Sequence, residues 1–504
     1  MSDLLFLQRS PEETRAALMR DGRLCELDIE RTSGRSLSGN IYRARVARIV
    51  PELDAAFVDL GNERMGMLHA GDVIVPGGLE PAPKQTGPDA GAPPTLRPRR
   101  PIGALLTTRQ EILVQVVREP IAKKGPRVTM HISLPGRNIV LFPTQSHIGV
   151  SKMIDDPAER DRVWRVLRLL LPAEMGAIVR TVGEGATEAE LANDAGFLRA
   201  QWADVLARFG AAATPSLLLV DLDLTLRAVR DHVRAETECI WLDDANDRAR
   251  VERFVERFHP GLVPLIRVHE GSNGLFEQHG LDVQVRAALA PRVPLRGGGE
   301  LVIERTEAMT VVDVNSAGHR SDDGLADAIL ALNLEAAREV AWQLRLRNLG
   351  GLCVVDFVDM KRPEDRRMLE AVIESELASD PARVRMTRMN RFGLVELTRK
   401  RVRESIYERL TETCPTCEGR GYLRSASDVA IETLGRLRRL AASGEATGAL
   451  VRIDVPPRVA AILSGQLAGV LTDLESHYDV QFEVLTGRNE SDPTVRVASR
   501  RARA

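Results

Sequence analysis

Two short apolar runs of this chain each end on acid: Met309-Thr310-Val311-Val312-Asp313-Val314-Asn315-Ser316 and Leu352-Cys353-Val354-Val355-Asp356-Phe357-Val358-Asp359-Met360. β-Branched residues followed by a carboxylate describe a strand that delivers the acid to the carboxyl edge of a sheet, and strand alternation aims Asp313 and Asn315 at the same face. Between the runs, Asp323 through Asn348 carries Ile329, Leu330, Leu332, Ala336, Ala337, Val340, Ala341 and Leu344 at the spacing of a helix face, with Gly350 and Gly351 placed to stop it. A strand, a helix and a strand of this length form a crossover unit. Its strands lie parallel, and both acids reach the sheet edge where ligands and metals bind. A lone Asp at a strand end is more often a turn former or a helix cap. Two of them, with Asn315 beside the first, favour a site. The apolar flanks sink that site partly into the sheet edge, where unmatched acids repel and one takes up a proton unless a cation is present. Hard oxygen ligands of this kind suit Mg²⁺.

At 504 residues the chain is too long for one core and should divide into about three or four domains. Its formal net charge of -2 provides no global basic field, so any nucleic-acid binding must rest on local patches. The apolar runs are short and broken by charges, as in Leu217-Leu218-Leu219-Val220-Asp221, and no signal-peptide pattern is expected at the start. Cys25, Cys239 and Cys353 stand isolated among apolar or mixed neighbours, which suits a reducing cytosol better than a disulfide framework.

Along the chain, Leu4–Gln8 and Leu24–Ile29 read as strands flanking a short helix or turn. Gly39–Val50, Ala55–Gly61, Met65–His69 and Glu111–Val116 read as the short strands of a small barrel, with Arg43, Arg45 and Arg48 adding charge. Residues 75–101 are rich in Pro, Gly and Ala and read as a loop. An amphipathic helix is expected around Arg162 to Leu171, a strand at Ala177–Thr181, and helices over Thr187–Phe209 and Leu226–Phe258. A basic stretch, Arg399-Lys400-Arg401-Val402-Arg403, precedes Cys414-Pro415-Thr416-Cys417-Glu418-Gly419-Arg420-Gly421. The spacing of that cysteine pair lets both thiolates reach one ion, but zinc wants four ligands and no nearby His or Cys completes the set. The residues alone allow a redox dithiol or a site shared between two copies.

From about residue 1 to 424 the chain resembles the ribonuclease E/G family of bacterial endoribonucleases, in the length of its short members. The resemblance rests on Ala55-Ala56-Phe57-Val58-Asp59, Arg180-Thr181-Val182-Gly183, Thr306-Glu307-Ala308, the run ending Asp313-Val314-Asn315-Ser316, Asn333-Leu334-Glu335-Ala336-Ala337, Gln343-Leu344-Arg345-Leu346-Arg347, Val355-Asp356-Phe357-Val358-Asp359-Met360, Arg391-Phe392-Gly393 and the Cys-Pro-Thr-Cys segment. It implies a multidomain α/β and α+β protein: an S1 (OB-type) barrel at 37–119 inserted in an RNase H-like domain at 1–36 and 222–290. A 5′-sensor domain at 120–221, a DNase I-like catalytic domain at 291–412, a zinc-link at 413–424 and a small α/β C-terminal domain at 425–504 follow.

By the same resemblance, Asp313 and Asp356 hold Mg²⁺ with Asn315 assisting, and a metal-activated water cuts single-stranded RNA to a 5′-phosphate and a 3′-hydroxyl, in RNA processing and decay. Asp359 follows the strand end by an odd step and is expected to face away as a structural residue. Arg180 and Thr181 offer a guanidinium fork and a hydroxyl to a 5′-monophosphate, with Gly183 and Gly185 freeing the backbone to approach. Arg391 supports that pocket, and Lys124, Gly125 and Val128 line it. In the barrel Phe57 stacks on bases, but Met67 stands where the family pattern has a second aromatic, so binding leans on Phe57, Arg43 and nearby cations. A Phe57 buried in the barrel core is the competing reading. Cys414 and Cys417 from two subunits clasp one Zn²⁺ per two chains, giving a cytoplasmic homodimer that can pair into a homotetramer. The glycine-rich knuckle and the absence of a thioredoxin-like βαβ context favour sharing. The larger members' long disordered scaffold has no counterpart in the sequence.

A protein that kept this fold for RNA binding or scaffolding without chemistry is a different class of answer; the joint presence of Asp313, Asn315 and Asp356 argues against it. A metal nuclease acting on DNA is a third, disfavoured by the S1-like barrel and the sensor pocket.

Overall fold

A computed structural model describes residues 3–32, 37–61, 64–74, 100–118, 125–234, 236–258, 260–316, 325–378, 380–401, 403–487 and 493–500. Lys124, most of the 75–101 loop, Asp323 and Val402 lie outside the described residues. The chain forms two units, Met1–Arg409 and Leu410–Ala504.

In the first unit, β1 (Asp3–Arg9), β2 (Glu13–Arg20) and β3 (Arg23–Arg31) form an antiparallel meander. The segment expected as a short helix or turn is therefore largely β2. Glu13–Arg20 is composed of good helix formers, but pairing on both sides with Ala16, Ala17 and Leu18 buried overrides that propensity. Next come β4 (Ile41–Val50), β5 (Ala55–Asp59), β6 (Gly66–His69), β7 (Glu111–Arg118) and β8 (Arg127–Thr129). Their order β4-β5-β6-β8-β7, with β7 returning to β4, closes a five-stranded barrel. Ala44, Val46, Ala56, Val58, Leu68, Val114 and Val128 fill its interior. The closing strand, β8, lies past residue 119.

A four-stranded sheet follows, in the order β11-β12-β10-β9, from β9 (Leu134–Pro135), β10 (Ile139–Phe142), β11 (Ile148–Val150) and β12 (Gly176–Val179). Two helices share its core: Pro157–Leu170, capped by Asp156, and Glu188–Ala211, opened by a capping box of Thr187 and Glu190. The chain then returns to earlier modules. β13 (Ser216–Leu219) adds to β4, while β14 (Thr237–Leu242) and β15 (Ile266–Val268) extend the first sheet beside β1 in the order β15-β14-β1-β2-β3. One sheet is thus assembled from both sides of the inserted barrel. β14 interrupts the stretch Leu226–Phe258 that was expected to be helical: its buried Thr237, Cys239, Ile240 and Leu242 form a short strand between the helices Leu224–His232 and Ala245–Phe258.

The acid-bearing module is a six-stranded sheet, β16-β17-β18-β19-β21-β20, made from β16 (Arg292–Pro294), β17 (Glu300–Arg305), β18 (Met309–Asn315), β19 (Gly351–Asp356), β20 (Val384–Met386) and β21 (Leu394–Arg399). The Leu325–Leu346 helix crosses from β18 to β19, which pair in parallel as expected. Ala336, Ala337, Val340, Ala341 and Leu344 are buried against Val312, Val314, Cys353 and Val355, with Ile329, Leu330 and Leu332 at the margin. The helix stops differently from expectation. Asn348 takes the left-handed conformation at φ 48° and Leu349 N–H reaches back to Leu344 O at 3.0 Å, a Schellman-type end. Gly350 serves instead a close approach, because a Cβ there would lie 2.7 Å from Arg401 Cγ.

The second unit places the Ala426–Ala442 helix ahead of a three-stranded sheet β23-β22-β24, from β22 (Ala449–Val455), β23 (Gln481–Thr486) and β24 (Thr494–Arg500). β22 and β23 are parallel and joined through the helices Pro457–Ser464 and Ala468–Tyr478. That is a βαβ unit, so the absence of such a context does not stand as a reason for a shared zinc. Short strands and helices with little periodicity hid it from the sequence. Among the described residues no helix is long and apolar enough to cross a membrane.

Candidate active site

Parallel pairing sets Asp313 directly opposite Asp356, in the last register step of β18 and β19. Asn315, two residues on and on the same face, donates from Nδ2 to Asp313 Oδ2 at 2.8 Å, which leaves its Oδ1 for a cation or water. All three are solvent-exposed, so the site sits on the sheet edge and not half sunk in it. Exposed as it is, Asp356 is partly desolvated by the strand end around it, and this, with the charges of Asp313 and Asp359, pushes its carboxyl above the usual range. Asp359, expected to turn away, thus stands close enough to act on Asp356. The donor set is two carboxylates, one of them raised, and an amide oxygen. That chemistry fits Mg²⁺, which commonly takes one or two protein carboxylates and completes its shell with water and substrate phosphate. Among the described residues there is no cluster of three or more His, Cys, Asp or Glu side chains arranged to hold a metal.

Two clamps from the Leu325–Leu346 helix hold the edge. Asn333, with no solvent exposure, donates to Val358 O at 2.8 Å and accepts from Val358 N–H at 3.1 Å, fixing the backbone just past Asp356. Glu335 accepts the N–H groups of Arg296 and Gly297 at 2.5 and 2.9 Å. The loop so held meets Asn315 at Gly299, where a Cβ would lie 2.3 Å from Asn315 O. Arg391 is carried on the turn Asn390–Gly393, whose Gly393 Cβ position is 3.4 Å from Asp359 Oδ1. Its place is therefore at the acid edge, with its guanidinium over the Phe392 ring at 4.8 Å.

Arg180 follows the last residue of β12, but its fork is not free. Nη1 donates to Gly136 O at 2.8 Å and Nη2 to Asp231 Oδ1 at 2.7 Å. Burial raises Asp231, yet Arg230 and Arg180 outweigh it and hold the carboxyl well below the usual range. Thr181 begins a short 3₁₀ turn and shares a hydrogen bond with Ser151 Oγ at 2.9 Å. The neighbouring glycines serve the fold here: a Cβ on Gly183 would be 2.8 Å from Asn138 O, and Gly185 N–H is bound by Glu159. Gly125 and Val128 belong to the barrel. A Cβ on Gly125 would lie 1.9 Å from Met65 O, and Val128 is wholly buried and paired with both β6 and β7, so neither offers a side chain to a ligand.

On the barrel surface, Phe57 is half-buried between the fully buried Ala56 and Val58, which removes the core reading for it. Register makes a row across four strands: Arg48 opposite Phe57, Phe57 opposite Met67, and Met67 opposite Arg127. The Arg48 guanidinium lies over the Phe57 ring at 5.2 Å. Arg43 does not belong to this row. It donates to Phe209 O and Ala212 O at 2.6 and 2.5 Å and to Glu111 at 2.6 Å, tying β4 to the end of the Glu188–Ala211 helix. Arg48 and Arg127 stand in the row instead, Arg127 also donating to Asp72 Oδ2 at 2.8 Å; Arg48 comes opposite Phe57 through a β-bulge between Val46 and Arg48, which plain alternation along β4 does not reveal.

Cys414 and Cys417 occupy a tight knuckle: Glu418 N–H bonds Cys414 O and Arg420 N–H bonds Cys417 O, each at 2.8 Å, with Gly419 and Gly421 at φ 83° and 77°. Backbone N–H groups of Cys417 and Thr416 lower the Cys414 thiol from its ordinary value. The pair supplies half of a tetrahedral thiolate set.

A family model described as the ribonuclease E/G family matches residues 133–402, and one described as the RNase E/G thioredoxin-like domain matches residues 413–500, in line with the βαβ unit found there. The chain is 35% identical over 496 residues to ribonuclease G of Escherichia coli (strain K12), covering 98% of this chain and 99% of that protein. With ribonuclease G of Haemophilus influenzae it shares 36% over 437 residues, covering 86% and 87%. With ribonuclease E of Nostoc sp. it shares 36% over 414 residues, covering 81% of this chain and 57% of that protein. The acid pair and its two clamps lie within the first matched span, and the likeness to ribonuclease G runs nearly end to end; the chain belongs to the ribonuclease E/G family.

Proposed function

We propose that Asp313 and Asp356 are the catalytic centre of this endoribonuclease, cutting single-stranded RNA with the aid of Mg²⁺ in RNA processing and decay. The observation that carries the proposal is the pairing of Asp313 with Asp356 at the edge of parallel strands, with Asn315 bonded to the first. A bound Mg²⁺ supplies an activated water near neutral pH and neutralises charge on the phosphate. Asp313 and Asp356 would hold it, Asn315 orients Asp313, and Asn333 and Glu335 keep both strand ends rigid. Attack on phosphorus and departure of the 3′-oxygen leave a 3′-hydroxyl upstream and a 5′-phosphate downstream. Asp313→Asn or Asp356→Asn should abolish cleavage of a 5′-labelled RNA while folding and RNA binding persist. Unchanged turnover in either variant removes the two-aspartate mechanism.

The rest of the reading follows from this centre. RNA crosses the row Arg48, Phe57, Met67 and Arg127, stacking on Phe57 and tracked by Arg48, with Arg127 at the row's end already balanced by Asp72. Arg180 and Thr181, on the four-stranded sheet, receive a 5′-monophosphate, with Asp231 already balancing the guanidinium. Domain names carried by the resemblance, S1, RNase H-like, 5′-sensor and DNase I-like, are assigned on the same basis. Cys414 and Cys417 bind one Zn²⁺ with the same pair of a second chain, making a homodimer able to pair into a tetramer. The cysteines precede the Ala426–Ala442 helix by a knuckle and do not head it, which suits metal binding better than a redox dithiol. Free cysteines throughout suit the cytoplasm.

A further inference from the structure

Phe392 is the exposed aromatic nearest in register to the acid pair. It precedes by two residues Leu394, the β21 partner of Asp356, and is 66% exposed. The fold gives it no reason to be there. Residues 390–393 form a tight hairpin turn: Gly393 N–H bonds Asn390 O at 3.1 Å, Asn390 N–H bonds Leu394 O at 2.9 Å, and Gly393 sits at φ 85°. Asn390 Oδ1 also accepts Phe392 N–H at 2.8 Å and Leu394 N–H at 3.1 Å. Turns of this kind choose Asn first and Gly last for backbone reasons, and their central positions favour small polar residues. A phenylalanine at the tip adds nothing to the turn and leaves a large apolar face in water.

What the turn provides is a rigid mount. Its close approach to Asp359 at Gly393 fixes the ring's base beside the acids, and Arg391 lies against the Phe392 ring. The same pairing of an arginine with a partly exposed phenylalanine recurs at Arg48 and Phe57 on the barrel. An aromatic face with a cation at its side is the chemistry that takes up an unstacked nucleobase and its phosphate. A metal-assisted cut needs the scissile phosphate held in line, and a base pinned next to it limits how the backbone turns.

We infer that Phe392 is a stacking platform for a nucleobase of single-stranded RNA adjoining the phosphate cut at the acid pair, and that Arg391 steadies the ring and the flanking phosphate. The inference rests on the acid-pair reading. RNAs carrying 2-aminopurine at successive positions around a mapped cleavage site test it, bound to Asp313→Asn protein so that no turnover occurs. One position should show quenching that is lost in Asp313→Asn/Phe392→Ala and kept in Asp313→Asn/Phe392→Trp. In otherwise wild-type protein, Phe392→Ala should raise KM roughly 5- to 100-fold and flatten the choice among neighbouring cleavage positions, with circular dichroism unchanged. If Asp313→Asn abolishes cutting but Phe392→Ala leaves quenching, KM and cleavage positions as they were, the platform is refuted and the acid pair stands. If Asp313→Asn still cuts at the mapped site, both fall. A Phe392→Ala variant that alters sedimentation but not the RNA signals assigns the ring to a contact between copies of the chain instead, and overturns the proposal.

Discussion

Asn333 offers a direct way to perturb the acid edge without touching an acid. Its amide is wholly buried and serves a single peptide unit, with bonds of 2.8 and 3.1 Å to the carbonyl and N–H of Val358. Asn333→Ala removes both and leaves two backbone groups without their partner. Each lost bond is worth about 1 kcal/mol net, and a buried partner left unpaired about 1–3 kcal/mol, so the span is about 2–6 kcal/mol for the pair. Val358 is only half-buried and water can recover part of this, which places the expected loss near the lower end, about 2 kcal/mol. The effect on chemistry should be larger. Val358 lies two residues from Asp356, and a displacement of about 1 Å in a catalytic group costs on the order of 100-fold in rate. Single-turnover cleavage titrated with Mg²⁺, beside a urea melt, separates the two effects. Asn333→Ala should need more Mg²⁺ for half-maximal rate and cleave on the order of 100-fold slower, with KM for RNA little changed. A variant that melts earlier yet keeps the wild-type rate and Mg²⁺ profile shows that the clamp serves only the fold, and the positioning argument is then wrong.

Other expectations follow from charges the fold brings together. On the sensor reading, Arg180→Ala should erase any preference for 5′-monophosphorylated over 5′-hydroxyl RNA, whereas Asp231→Asn should sharpen it several-fold, since the isosteric amide still accepts from Arg180 but no longer neutralises it; equal preference in all three proteins would end that assignment. Cys417→Ser should release zinc and split the dimer, and a wild-type content of one zinc per chain by elemental analysis contradicts sharing. His232 lies 3.9 Å from Glu26 and 3.7 Å from Asp28; burial alone would lower its pKa, but these two carboxylates raise it overall. A raised folded pKa means that its stabilisation is full below about pH 6.5 and fades as pH climbs through the raised value. The stability gap between wild type and His232→Gln should therefore be widest in mild acid and close in alkali; a gap that does not vary with pH refutes the pairing.

Much of the acid module was legible because its signals are local. β-Branched runs ending on Asp, a helix-spaced stretch between them and the crossover rule together put Asp313 and Asp356 on one edge. Where the local signal points one way and pairing another, reading failed. Glu13–Arg20 has the composition of a helix yet sits between two strands, and Thr237–Leu242 is a strand too short to stand out between two amphipathic helices. The Gly350-Gly351 pair looks like the helix stop in sequence, yet Asn348 takes the left-handed turn and Gly350 makes room for Arg401.

The residues whose roles shifted most are arginines, and the cause is physical. A guanidinium does its work through whatever it faces, and its partners lie far away in sequence: Arg43 bonds the carbonyls of Phe209 and Ala212, Arg180 bonds Asp231, and Arg391 covers the ring next to it. Composition and spacing reveal that positive charge is present, not whether it is already matched. Carboxylates at a parallel strand edge are different, because the backbone alone dictates that they meet. The acid pair is therefore the part of this protein whose chemistry follows from its topology, while its RNA-facing surfaces depend on which arginines the fold leaves for a phosphate. Arg48, in register with Phe57 and lying over its ring, answers to that description; Arg127, bonded to Asp72 at 2.8 Å, and Arg43, tied down on three sides, are already matched.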